Sequence, residues 1–299
     1  MRRYTIRCAV LVLLTLWLAT RTTPVQAQTN VQCFKGVPGI GSCIADRFLE
    51  YWTQNGGLPV FGYPLTPAFQ QQTPEGTFLV QYFERQRFEL HPEHRRPYDV
   101  LLGRLGDEML GRLGRSWRAE PTNPYDPNCW TAPQTGRSLC DPFGRYWNDH
   151  YLLGLSPTDG ALALWGLPLT DTRIERNPDG DSVATQWLER ARYEHHPNNP
   201  KEYQVLLGRL GAEVLDGTRA TIGGISNNHQ AAARQIVIGS ERDGSATVVN
   251  YTATTTISCS DKGAVPANLL DRPQLKLSAT GVFTAQGTLN ATAIIALCR

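Results

Sequence analysis

Two stretches of the chain carry the same polar residues at the same spacing: Gln81, Arg85, Arg87, Glu89 and His91, then Gln186, Arg190, Arg192, Glu194 and His196. If each stretch runs as one strand, side chains two residues apart share a face. The result would be a row of guanidinium donors, carboxylate acceptors and imidazoles able to read sugar hydroxyls or carboxylates. The same residues would also serve an internal Arg–Glu network closing each unit, which is the commoner use of repeated polar residues. Phe61, Tyr63 and Trp165 stand at Gly-x-Pro turns and could offer stacking faces to a sugar. Trp52 and Trp147 each follow a phenylalanine by four residues, about one helical turn, and are expected in the core.

Other chemistry finds less support. His91, His94, His195 and His196, with Glu93 or Glu194, are metal-ligand types, but none has the His-Glu-x-x-His helical spacing. Adjacent His195 and His196 would point to opposite faces of a strand. There is no Gly-x-Ser-x-Gly elbow for a serine nucleophile. Glu84 and Glu89 recur in both stretches, which argues against a single acid–base pair. Gly62-Tyr63-Pro64 and Gly103-Arg104-Leu105-Gly106 lack the pattern of a phosphate loop and read as turns. No catalytic residue, cofactor or metal ion is expected.

The elements that must position these residues come twice. Phe48-x-x-Tyr51-Trp52 recurs as Phe143-x-x-Tyr146-Trp147, and Phe61-Gly62-Tyr63-Pro64-Leu65-Thr66 recurs as Trp165-Gly166-Leu167-Pro168-Leu169-Thr170. Residues 81–93 match residues 186–198 at seven of thirteen positions, and VLLGRLG occurs at 100–106 and again at 205–211. Ordered self-similarity of this kind marks two copies of one unit. Each reads as a short amphipathic helix, capped by Asp46 or Asp141 and ended in the first copy by Gly56-Gly57, then a Gly-x-Pro turn. Two strands around Pro-x-Gly turns at 74–76 and 178–180 follow, then a last strand and a helical turn, placed at 98–102 and 106–110 in the first copy.

After residue 218 the aromatics thin to Tyr251 and Phe283, and alternating runs rich in Thr, Ala and Val suggest an antiparallel β-sandwich. The expected fold class is α+β: two small repeated α+β units at 28–111 and 129–218, a linker at 112–128, and a small sandwich-like β domain at 219–299. Residues 1–27 read as a secretory signal, with basic Arg2, Arg3 and Arg7, an apolar run at 9–19 and a small-residue site ending at Ala27. That run is too short to span a bilayer, which takes roughly 20 apolar residues. Of the formal +2, four positive charges are Arg2, Arg3, Arg7 and Arg21; without them 25 basic residues face 27 acidic ones. A nucleic-acid partner is therefore not expected. Six cysteines remain after the signal, and their placement pairs Cys33 with Cys43, Cys129 with Cys140 and Cys259 with Cys298 in an oxidising compartment.

The helix with Tyr-Trp, the Gly-Gly-Leu, the Phe-Gly-Tyr-Pro-Leu-Thr turn and the core Phe83-Glu84-Arg85-Gln86-Arg87-Phe88-Glu89-Leu90-His91-Pro92-Glu93 resemble the LGFP-type tandem repeats of secreted bacterial envelope proteins. The resemblance covers about residues 33–110 and 129–216. It departs at Leu188 and Asn198, which replace Phe83 and Glu93 in the second copy, and it leaves the tail out. It implies an exported, non-catalytic protein, secreted or held at the cell surface, whose repeats attach to cell-wall glycan or peptidoglycan. The alternatives are a structural module whose β tail docks another envelope protein, or an unrecognised hydrolase.

Overall fold

The computed structural model describes residues 30–298 apart from positions 74 and 262, so the expected signal at 1–27 lies outside the described residues. The first unit opens on a hairpin of β1 (Val31–Cys33) and β2 (Cys43–Ala45), whose facing cysteines are bonded. Helices α1 (Asp46–Gln54) and α2 (Gly57–Phe61) follow. Between them Gly56 and Gly57 take φ of 107° and 54°, a reversal that a Cβ would oppose. Strands β3 (Phe69–Thr73), β4 (Gly76–Tyr82), β5 (Arg87–Leu90) and β6 (Val100–Leu102) form an antiparallel meander before α3 (Leu105–Arg112).

The second unit runs through the same succession. Its hairpin is β7 (Trp130–Ala132) with β8 (Arg137–Leu139), closed by the Cys129–Cys140 bond. Helices α4 (Phe143–Asp149) and α5 (Pro157–Trp165) lead to β9 (Arg173–Arg176), β10 (Ser182–Trp187), β11 (Arg192–His195) and β12 (Val205–Leu207), then α6 (Leu210–Leu215). Asp46 does not cap α1: it is the first helical residue, and its carboxylate meets Arg242 of the tail at 3.3 Å. Asp141 does accept the Arg145 amide, at 3.1 Å.

The two units share their core. Phe48, Tyr51, Phe61 and Phe88 lie in one buried cluster with Phe143, Trp147, Trp165 and Tyr193. A second cluster runs from Val80, Tyr82 and Trp187 through Leu105, Leu110 and Leu210 into the tail. Backbone bonds join the units reciprocally. The turn after β4 presents the Glu84 carbonyl to the Ala212 amide at 3.1 Å, and the turn after β10 presents the Glu189 carbonyl to the amides of Gly106 and Asp107 at 3.1 and 3.3 Å. Each turn thus occupies the N-terminus of the other unit's last helix, where free amides need acceptors.

The tail departs from the sandwich expected. Its strands are β13 (Arg219–Gln230), β14 (Gln235–Gly239), β15 (Ala246–Asn250), β16 (Thr256–Cys259), β17 (Gly263–Ala264), β18 (Lys276–Phe283) and β19 (Leu289–Ala296). The order β15-β14-β13-β18-β19 closes through a parallel pairing of Val249 with Leu289 and Asn250 with Asn290, which makes a five-stranded barrel. Strand β16 continues along β19, also in parallel. Closure is possible because β13 is long, shifts register between Ser226 and Asn228, and pairs with β18 on its first half and β14 on its second. Gly223, Gly224, Asn227 and Asn228 are poor strand formers, so local pattern does not announce β13. Gly224 is required there: a Cβ would lie 2.2 Å from the Gly239 carbonyl oxygen.

The third disulfide, Cys259–Cys298, ties β16 to the chain after β19 across 39 residues. Replacing both cysteines by alanine is expected to cost about 2–4 kcal/mol, read as a fall in the urea midpoint. Another tie is bidentate: Arg47 on α1 donates to both Asp99 oxygens at 2.7 and 2.8 Å. This hydrogen bond holds the Asp99 carboxyl below its ordinary value, against the opposing effect of burial. Because the folded value is the lower one, the contribution is complete above the unfolded value near pH 4 and is lost as pH falls through the folded value. Asp99→Asn is therefore expected to flatten the acid limb of stability against pH below about pH 4, measured by denaturation at several pH values.

Candidate functional site

The repeated polar stretch is a hairpin and not one continuous strand. Phe83 donates to the Gln86 carbonyl at 2.8 Å, closing a turn that reverses the chain between β4 and β5. Tyr82 then pairs with Arg87, and Gln81 with Phe88, so Gln81 and Arg87 lie on opposite faces. Gln81 is buried and donates to the carbonyls of Cys43 and Thr66, both at 2.8 Å; Gln186 does the same to Ser138 and Thr170. Both glutamines tie the opening hairpin to the sheet and belong to no open surface.

On the other face, Arg87 Nε donates to Glu89 at 2.8 Å, while its two terminal nitrogens take both oxygens of Glu108 at 3.0 and 2.7 Å. Arg192 repeats this with Glu194 at 2.8 Å and Glu213 at 2.8 and 2.9 Å. Burial would lower the Arg87 pKa, but the neighbouring Tyr82, Glu108 and Glu89 outweigh it and hold the guanidinium above its ordinary value. Arg192 behaves alike through Glu213 and Glu194. Gly103 and Gly208 make room for these groups: a Cβ there would approach the guanidinium within 2.9 and 2.6 Å. The Arg–Glu part of the repeat is therefore an internal network joining β5 to α3, and β11 to α6.

Above each network lies a cleft, of about 630 Å³ in the first unit and about 330 Å³ in the second. The two are built from corresponding residues: Arg87, Glu89, His91 and Glu108 with the rim Arg104 in one, and Arg192, Glu194, His196 and Glu213 with the rim Arg209 in the other. Each is completed by an arginine of the opposite unit, Arg190 in the first and Arg85 in the second. Arg190 reaches across to the Leu102 carbonyl at 3.3 Å, and burial depresses its pKa. The rim arginines meet the opposing turns, Arg104 at Glu189 (3.1 Å) and Arg209 at Glu84 (3.2 Å). Ala285 and Gln286 of the β18–β19 turn line the second cleft, whereas among the described residues none of the tail lines the first.

Among the described residues, no phenylalanine, tyrosine or tryptophan lines either cleft. Phe61 and Trp165 are 0% exposed, because each is the last residue of a helix packed on the shared core. Tyr63 is half-buried, edge-on to Phe34 with ring centres 5.2 Å apart, and lines neither cleft. Trp52 and Trp147 are core residues, each donating to a glycine carbonyl at 3.2 Å.

The sequence reading missed Glu108, Glu213, Arg104 and Arg209. Their signal was present: Arg87 to Glu108 and Arg192 to Glu213 are both 21 residues apart, and the rim arginines sit inside the identical heptads. Among the described residues, no helix is long and apolar enough to cross a membrane. Comparison with protein-family models, curated proteins and solved structures finds no match to the chain in any of the three.

Proposed function

We propose that this chain is an exported, non-catalytic binding protein whose two units are copies of one LGFP-like module and whose clefts hold cell-wall glycan or peptidoglycan. The observation that carries the reading is the duplicated cleft, each with an Arg–Glu floor, a rim arginine and an arginine from the other unit. Burial of Phe61 and Trp165 shifts recognition away from stacking on sugar faces. Arg104 and Arg209 are held by Glu189 and Glu84 but stand half-exposed at the rims, where a ligand carboxylate can exchange for those partners; stem peptides of peptidoglycan supply such carboxylates and neutral wall polysaccharides do not. Two weak sites on one chain gain avidity on a polymeric wall through effective concentration. The three disulfides fit an oxidising compartment outside the cytosol.

Co-sedimentation of residues 28–299 with insoluble peptidoglycan and, separately, with neutral wall polysaccharide tests this. Saturable pelleting with peptidoglycan, competed by soluble muropeptides, is the expected outcome. Failure to pellet with either material would remove the wall-binding reading.

A further inference from the structure

We infer that the turn following β5 is a binding site for a divalent cation of the zinc type, held by His91, Glu93 and His94. The sequence hides this site because its spacing, His-x-Glu-His, fits no helical ligand pattern. The turn supplies the convergence instead. His94 donates its amide to the His91 carbonyl at 3.0 Å, and His91 is itself anchored by donating its amide to the Asp99 carbonyl at 2.9 Å.

One donor atom from each of the three side chains lies within 4.8 Å of the others. His91 Nδ1 is 2.9 Å from Glu93 Oε1, and His94 Nε2 is 3.9 Å from the same oxygen. Ligands about 2.0–2.1 Å from a tetrahedral ion stand about 3.3 Å apart, a separation these two distances bracket. Two imidazoles and a carboxylate form the mixed donor set that zinc takes with a fourth position open.

The other nitrogen of His91 has a fixed carboxylate in front of it. The residue is only 7% exposed, and its Nε2 is buried without a hydrogen-bond partner among the described residues. Nε2 faces Glu89 Oε2 at 3.6 Å, and Glu89 is fixed by Arg87. A histidine bound to a cation through Nδ1 carries its proton on Nε2 and presents it to a carboxylate, the outer partner that orients metal-bound imidazoles. The ring is held in that orientation by Phe78, with centres 4.2 Å apart. The second unit keeps the inner half of this arrangement, with His196 Nε2 likewise buried, without a hydrogen-bond partner among the described residues and 3.5 Å from Glu194, but has Asn198 and Asn199 where the first has Glu93 and His94, so the cation site rests on the convergence of those two side chains with His91. It is a built-in control that retains the histidine and lacks the chelate. This inference does not depend on the wall-binding reading.

The test is a calorimetric titration of the disulfide-intact protein with zinc chloride, accompanied by the visible spectrum with cobalt(II). One ion per chain is expected, with a tetrahedral cobalt band. Glu93→Asn with His94→Asn reproduces the second unit's turn at two exposed side chains, so the fold is kept. It is expected to weaken zinc binding more than about 100-fold, beyond the loss from removing an outer partner. His196→Asn is expected to leave affinity and spectrum unchanged. Absence of zinc binding in the parent protein, undiminished binding in the double variant, or a loss caused by His196→Asn would each overturn the assignment.

Discussion

Gly211→Ala is expected to destabilise the protein by about 3 kcal/mol or more, and Gly106→Ala by a similar amount. A Cβ on Gly211 would lie 1.9 Å from the Phe83 carbonyl oxygen and 2.9 Å from the Gln86 amide nitrogen. On Gly106 it would lie 1.9 Å from the Leu188 carbonyl oxygen. These neighbours are backbone, so relief requires the two units to separate, which breaks the reciprocal amide bonds to Glu84 and Glu189 and opens the shared core. Gly111, on the same helix as Gly106, has nothing within 4 Å of its Cβ position. Its replacement by alanine is expected to stabilise by about 0.5–1 kcal/mol through helix propensity. Urea midpoints of the three variants check this. A Gly211→Ala protein as stable as the parent would mean the units do not dock as described.

Arg192→Met is expected to cost about 3–5 kcal/mol, because it leaves buried carboxylates without their counter-charge. Arg87→Met should cost less. Glu194 and Glu213 are 7% and 18% exposed, whereas Glu89 and Glu108 are 12% and 35% exposed, so water can take up more of the stranded charge in the first unit. Adding Glu194→Gln to Arg192→Met should recover part of the loss, since the remaining amide carries no charge and Asn177 still donates to it. Denaturation midpoints around this double-mutant cycle measure the coupling. Additive losses would show that the pair is not a buried network.

The three disulfides and the core tryptophans were legible because each rests on a local or pairwise signal. Phe48 to Trp52 is one helical turn, and Cys33 and Cys43 precede one copy of a motif as Cys129 and Cys140 precede the other. What failed were statements needing the path of the backbone. Gln81 and Arg87 share a parity in the sequence, but the four-residue turn between β4 and β5 puts them on opposite faces. Phe61 and Trp165 precede glycine and look like turn residues, yet each closes a helix and points inward. The barrel was read as a sandwich because its closure depends on the parallel meeting of β15 and β19, 40 residues apart, which no local pattern announces. The crossing of Arg85 and Arg190 between units was illegible for the same reason: it belongs to the docking of the copies, and neither copy alone encodes it.

The duplicated cleft as a binding site is tested most directly by pelleting on peptidoglycan after changes at the rims, away from the buried network. Arg104 and Arg209 are about half exposed and line the first and second cleft respectively. With Arg104→Ser and Arg209→Ser made singly and together, each single variant is expected to lose avidity and the double variant to lose saturable pelleting, at unfolding free energies within about 0.5–1 kcal/mol of the parent. A double variant that remains folded and pellets like the parent would contradict the assignment of binding to the paired clefts.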